Sequence, residues 1–146
     1  MKNIRITKEF SFEMAHALEG YDGLCANIHG HSYRLWVTVR GLVKEQEGHE
    51  KDGMVMDFAD LKKIVKSTIV EKYDHSLVLR ANSKHADIDL SIFDKVYYLP
   101  YQPTSENLVH DFASIIKSKL TRNYNLCKVV LSETQTSFAE WNEKDN

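Results

Sequence analysis

From Ile4 to His16 the apolar residues fall on even positions, Ile4, Ile6, Phe10, Phe12 and Met14, against Arg5, Thr7, Glu9, Ser11 and Glu13 on odd ones. Only Lys8 breaks this period of two, which predicts a half-buried strand. A polar turn with Gly20, Asp22 and Gly23 follows, and His31 to Val43 then alternates again, with Tyr33, Leu35, Val37 and Val39 on one face. The two strands are expected to pair as a hairpin. Lys44 to Gly53 is charged and poor in apolar residues, as a solvated loop should be.

The period then changes. Asp57 is placed to cap a helix whose stripe is Leu61, Ile64, Val65, Thr68 and Ile69, ending before Tyr73-Asp74-His75. Ser76 to Asp94 shows no sustained period; Val96 to Leu99 is long enough for a short strand, and Pro100 and Pro103 punctuate the chain after it. Thr104 caps a second expected helix, with Glu106 in its first turn and Leu108, Phe112, Ile115, Ile116 and Leu120 as its buried stripe. Leu126 to Glu133 and Ser137 to Trp141 read as closing strands. The order strand, strand, helix, helix, strand, strand predicts an α+β domain over residues 1–146, a four-stranded antiparallel sheet with two helices on one face.

Composition narrows the function classes. A chain of 146 residues that is 42% hydrophobic and 27% charged, with 6 Gly and 2 Pro, has the balance of a folded domain. Nineteen basic against 21 acidic residues give a net charge of −2, which argues against a broad nucleic-acid surface. No window is apolar enough to span a bilayer and the first residues lack a signal-peptide stretch, so a cytoplasmic protein without membrane contact is expected. Cys25 and Cys127 are too few for a disulfide framework. Cys127 shares its parity with Val129 and Leu131, which reads as a buried structural thiol.

The chemistry concentrates in Cys25-Ala26-Asn27-Ile28-His29-Gly30-His31-Ser32-Tyr33. On an extended chain His29 and His31 project to one face about 6.5 to 7 Å apart, a span over which two imidazoles share a metal ion, and Gly30 leaves the other face uncrowded. His16 falls on the inward parity of its own strand, where a hairpin brings it beside them. Three imidazoles with a fourth position open describe a catalytic zinc site; histidines hydrogen-bonded on a strand rim are the other reading, and spacing alone does not choose. Cys25 is near enough to that position for a stabilised thiolate, or is a small buried hydrophobe. Asp74-His75 pairs a carboxylate with an imidazole. Glu133 points where Val129 and Leu131 point and needs a donor partner: the guanidine-like edge of a pterin or guanine, an Arg or backbone amides all qualify. A cupin also uses His-x-His, but its expected Glu is absent from Tyr33-Arg34-Leu35-Trp36.

Taken in order, Phe12 to His16, Cys25 to Tyr33, Gly53 to Phe58, Asp74-His75, Pro103 to Asn107 and Glu133-Thr134 resemble the 6-pyruvoyl-tetrahydropterin and 6-carboxy-tetrahydropterin synthase family across nearly the whole chain. The resemblance implies that His16, His29 and His31 hold Zn2+, that Cys25 is the catalytic thiol, and that Asp74 with His75 completes the proton-transfer set. It implies Glu133 as the pterin anchor with Thr104 and Glu106 near the ring. It also implies the tunnelling fold (T-fold), in which sheets of several subunits join into a barrel, commonly a hexamer with active sites between chains. Three residues between Cys25 and His29 look like the bacterial 6-carboxy-5,6,7,8-tetrahydropterin synthases of queuosine synthesis, which cleave 7,8-dihydroneopterin triphosphate with loss of triphosphate and acetaldehyde. The 6-pyruvoyl-tetrahydropterin product, or noncatalytic pterin binding, are the alternatives. Relatives often read Asp-His-x-x-Leu-Asn where this chain has Asp74-His75-Ser76-Leu77-Val78-Leu79, so contacts of that loop are not carried over. Arg5, Lys8, Arg34 and Lys128 are available to a triphosphate, but for each of them solvated surface is the stronger reading.

Overall fold

The computed structural model describes residues 1–146. Strands β1 (Asn3–His16) and β2 (His29–Leu42) form the expected hairpin, in register from Asn3 opposite Leu42 to His16 opposite His29. Their inward residues, Phe10, Phe12, Met14, Tyr33, Leu35, Val37 and Val39, are all buried. Space at Gly41 is tight: a Cβ there would stand 3.0 Å from Val55 Cγ1 and 3.2 Å from the Asn123 carbonyl, so a larger residue would make a neighbour shift by a few tenths of an ångström.

Helix α1 (Phe58–Val65) starts at Asp57, whose carboxylate accepts from the Ala59 amide at 2.8 Å. It continues as a π-helical stretch, Lys66–Val70, and a last turn, α2 (Glu71–Tyr73). The widening has a local cause: Thr68 and Ser67 hydroxyls both donate to the Ile64 carbonyl, competing with the main-chain ladder. The extra residue turns Ile69, Val70 and Tyr73 all inward. Helix α3 (Ser105–Lys119) is capped by Thr104, which accepts from Asn107 N. Its Phe112 lies 5.3 Å from the Tyr73 ring and 6.2 Å from Phe12, joining both helices to the hairpin.

The α+β class and the helices hold, but the sheet is larger than four strands and is mixed. Its order is β4-β3-β1-β2-β5-β6, where β3 is Ser76–Arg80, β4 Val96–Leu99, β5 Asn125–Ser132 and β6 Phe138–Asn142. β1, β2, β5 and β6 are antiparallel neighbours as expected, while β3 runs parallel to both β1 and β4. β3 escapes a period-two reading because it is covered on both sides: Val78 enters the main core, and Leu77 and Leu79 pack with Ala17 and Leu90 in a second cluster.

Cys127 is buried as expected, yet outside the main apolar core. Lys128 pairs with Thr38 and Leu126 with Val39, leaving Cys127 as the extra residue of a bulge. The bulge resets the parity, so Leu126 and Val129 face inward and Cys127 lines a polar cleft with Arg5, Thr38, Arg40 and Lys128. No helix is long and apolar enough to cross a membrane.

Candidate metal centre and active site

The hairpin register determines the centre. His16 and His29 are cross-strand partners, and His31 follows one inward position along β2. Their ring centroids form a near-equilateral triangle, 4.7, 5.1 and 4.9 Å apart. Nδ1 of His16 donates to the Pro103 carbonyl at 2.7 Å, and Nδ1 of His29 to the Asn27 carbonyl at 2.7 Å. A carbonyl only accepts, so the neutral form of either ring carries its lone pair on Nε2, and those two atoms face each other at 3.2 Å. One candidate donor atom from each of the three rings lies within 4.8 Å of the others.

This donor set fits zinc. Two nitrogens bound tetrahedrally at about 2.0–2.1 Å are roughly 3.3–3.4 Å apart, close to the His16–His29 spacing. Two opposed lone pairs repel unless a cation or proton lies between them. Burial holds His16 and His31 below the ordinary imidazole pKa, keeping them in the neutral form a metal requires. Backbone carbonyls behind the rings provide the outer support usual for histidine ligands.

Glu133 follows β5 and sits beside the cluster, with Oε1 3.9 Å from His16 Nε2 and accepting from the Tyr33 hydroxyl at 3.4 Å. Burial first, and then this carboxylate, push the Tyr33 phenol up, so it stays a donor. Cys25 lies in a 3₁₀ segment of one turn, Leu24–Ala26. With Glu133, Thr104 and Glu106 it lines a cleft of ≈ 440 Å³. Seven of the expected residues therefore gather in one region: His16, His29 and His31, and beside them Cys25, Glu133, Thr104 and Glu106.

Asp74 and His75 are elsewhere. They follow α2 and are pinned to β1 by two bonds, Glu13 N to Asp74 Oδ1 at 2.9 Å and His75 N to the Glu13 carbonyl at 2.6 Å. The Glu13 amide is the main reason the Asp74 carboxyl sits below its usual range, with His75 Nδ1 at 3.0 Å adding to it. His75 has φ 57°, a left-handed conformation that a non-glycine residue adopts under constraint. Lys95 supplies part of it by donating to the Glu71 and Asp74 carbonyls at 2.6 and 2.7 Å. His75 lines a cleft of ≈ 540 Å³ that it shares with His31 and Ser32 and not with Cys25. Within one chain Cys25 and His75 thus border different clefts, and His31 of the imidazole cluster lines the one with His75.

The sequence pattern did not mark Tyr33, Pro103, Asn27 or Lys95 as contributors. Tyr33 carried a signal, the same inward parity as His29 and His31. The others act through backbone carbonyls or long-range pairs, which leave no spacing in the sequence.

Comparison with known proteins agrees. Residues 5–144 match the family described as 6-pyruvoyl tetrahydropterin synthase. The 6-carboxy-5,6,7,8-tetrahydropterin synthase of Haemophilus influenzae is 36% identical over 143 residues, 95% of this chain and 99% of that one. Among solved structures, the 6-pyruvoyl tetrahydropterin synthase of Caenorhabditis elegans superposes with a TM-score of 0.69 at 28% identity, over 97% of this chain and 96% of that one. An uncharacterized Wolinella succinogenes protein gives a TM-score of 0.80 at 19% identity, over 98% and 99%, a likeness of fold. With the tunnelling fold in place and the match running almost end to end, this chain belongs to the 6-pyruvoyl tetrahydropterin synthase family.

Proposed function

We propose that this chain converts 7,8-dihydroneopterin triphosphate and one water to 6-carboxy-5,6,7,8-tetrahydropterin, with loss of triphosphate and acetaldehyde, as a zinc-dependent lyase of 7-deazaguanine and queuosine synthesis. The observation that carries the reading is the convergence of His16, His29 and His31 beside the cleft of Cys25 and Glu133. The name borne by the Haemophilus influenzae relative supports the choice of product.

His16, His29 and His31 would hold zinc, which when bound lowers the free energy of charge developing on substrate hydroxyls. Glu133 accepts paired N–H groups from the pterin edge, and Thr104 and Glu106 flank the ring at the same cleft. Cys25 and His75 move protons to and from the side-chain carbons, with Asp74 orienting His75. In this reading the thiol and the dyad of one active site come from different chains, which the separation of their clefts supports. The protein then works as a homo-oligomer, a hexamer of single domains spanning residues 1–146 whose sheets join edge to edge. The outer edges of β4 and β6, and the exposed side chains of Ile92 and Phe138, support such assembly. A cytoplasmic setting accompanies the reading, since a reducing compartment keeps Cys25 a thiol.

The decisive experiment is incubation with 7,8-dihydroneopterin triphosphate, with and without a chelator, followed by product mass. The expected result is 6-carboxytetrahydropterin and acetaldehyde, both lost on chelation. The name of the Caenorhabditis elegans neighbour favours a second reading, the 6-pyruvoyl product, which the same mass distinguishes. Pterin binding without turnover would leave a noncatalytic binding protein.

A further inference from the structure

His85 lies outside both clefts and carries no role in the reading above. It occupies a short 3₁₀ turn, Lys84–Asp87, capped by the buried Ser83. Its ring is half-buried, and both nitrogens face oxygen acceptors: Nε2 stands 2.7 Å from the Ala26 carbonyl and Nδ1 3.4 Å from Glu19 Oε2. Ala26 is the residue after Cys25, so the ring grips the thiol-bearing turn directly.

Glu19 is itself held on every side. Its backbone amide donates to Gln102 Oε1 at 3.0 Å, its carbonyl accepts from Gln102 Nε2 at 2.7 Å, and its carboxylate accepts from Lys84 N at 3.1 Å. Gln102 is tied in turn to the start of α3, because its carbonyl accepts from Asn107 Nδ2 at 2.9 Å. Inside the turn only the short local bonds Ala26 N to Gly23 O and Asn27 N to Leu24 O hold the backbone, with Leu18 N to Cys25 O at its base. A one-turn 3₁₀ segment with no side-chain cap has little rigidity of its own. Its position relative to Thr104 and Glu133 therefore depends on outside contacts, and His85 makes the side-chain contact to it from the neighbouring segment.

We propose that His85 is a positioning residue for Cys25, a clamp that fixes the thiol-bearing turn between Glu19 and the Ala26 carbonyl and so sets the thiol against the cleft. The consequence for turnover rests on the catalytic use of Cys25; the clamp itself does not.

The test compares His85→Leu, which removes both polar contacts, with His85→Gln, which keeps an amide donor for Ala26, and with Leu61→Ala, a core variant distant from the clamp. The first readout is the rate of Cys25 alkylation by iodoacetamide in the full chain, followed by mass spectrometry of its peptide so that Cys127 does not interfere. The expected result is a change of at least about fivefold in His85→Leu, most of it restored in His85→Gln, with none in Leu61→Ala. Turnover, expressed per bound metal, should fall about 10- to 100-fold in His85→Leu with KM little changed, as displacement of a reacting group does. An unchanged alkylation rate in His85→Leu, or equal changes in His85→Leu and Leu61→Ala, overturns the clamp. If alkylation changes as expected while Cys25→Ala turns over normally, the clamp stands and the catalytic role of the thiol falls instead.

Discussion

His16 Nε2 faces His29 Nε2 across 3.2 Å, while the far nitrogen of each ring is tied to a main-chain carbonyl, Pro103 for His16 and Asn27 for His29. The pairing is set by the last rung of the β1–β2 ladder and by two carbonyls that no side-chain pattern encodes.

Metal binding should therefore be lost without loss of fold in His16→Asn, which retains a donor near Pro103 but has no second ring nitrogen. Elemental analysis should give one zinc per chain for the parent and none for the variant, with circular dichroism unchanged. Excess zinc at about a thousand times its dissociation constant should stabilise the parent by about 4 kcal/mol and leave the variant unaffected. Stoichiometric zinc in His16→Asn removes that ligand from the centre.

The metal-free protein should lose stability as it is acidified. Burial sets His16 and His31 below the ordinary imidazole value, so the unfolded chain, titrating near about 6.5, takes up protons first as pH falls. The contribution of these groups is complete above that value and declines below it, down to the depressed native values. In chelator, urea midpoints should drop between pH 8 and pH 5.5, and the drop should be smaller in His16→Asn. Equal slopes for the two proteins would contradict the assignment.

Cys25→Ala should abolish turnover while zinc and pterin remain bound, because the thiol lines the cleft without touching the histidine ring nitrogens within hydrogen-bonding range. Single-turnover mixing with 7,8-dihydroneopterin triphosphate, alongside equilibrium pterin binding, separates the two effects. Full activity would take the thiol out of the mechanism.

Phe112→Ala should destabilise the chain by about 3–5 kcal/mol, since that ring joins Phe12 and Tyr73 at zero exposure. Tyr73→Phe should go the other way by up to about 1 kcal/mol. The Tyr73 hydroxyl is buried without a partner, and burial first, with Asp111 next, pushes its pKa up to about 12. Chemical denaturation of both variants checks the pair, and a clear loss of stability in Tyr73→Phe would mean that the hydroxyl is satisfied.

The sequence alone determined the hairpin, both helix caps and the inward parity of His16, His29 and Glu133, because alternation and capping are local properties written into neighbouring residues. It placed the three imidazoles on one face for the same reason. Tertiary structure decided what sequence spacing does not carry. β3 was hidden because burial on both sides erases its period, and Cys127 changed face because one bulged residue inverts the parity of everything before it. The ring tautomers, the His85 contact with Ala26 and the separation of Cys25 from His75 rest on contacts between segments more than 50 residues apart, or on main-chain oxygens every residue possesses. Such contacts exist only once the chain has folded and so leave no residue type or period to read beforehand.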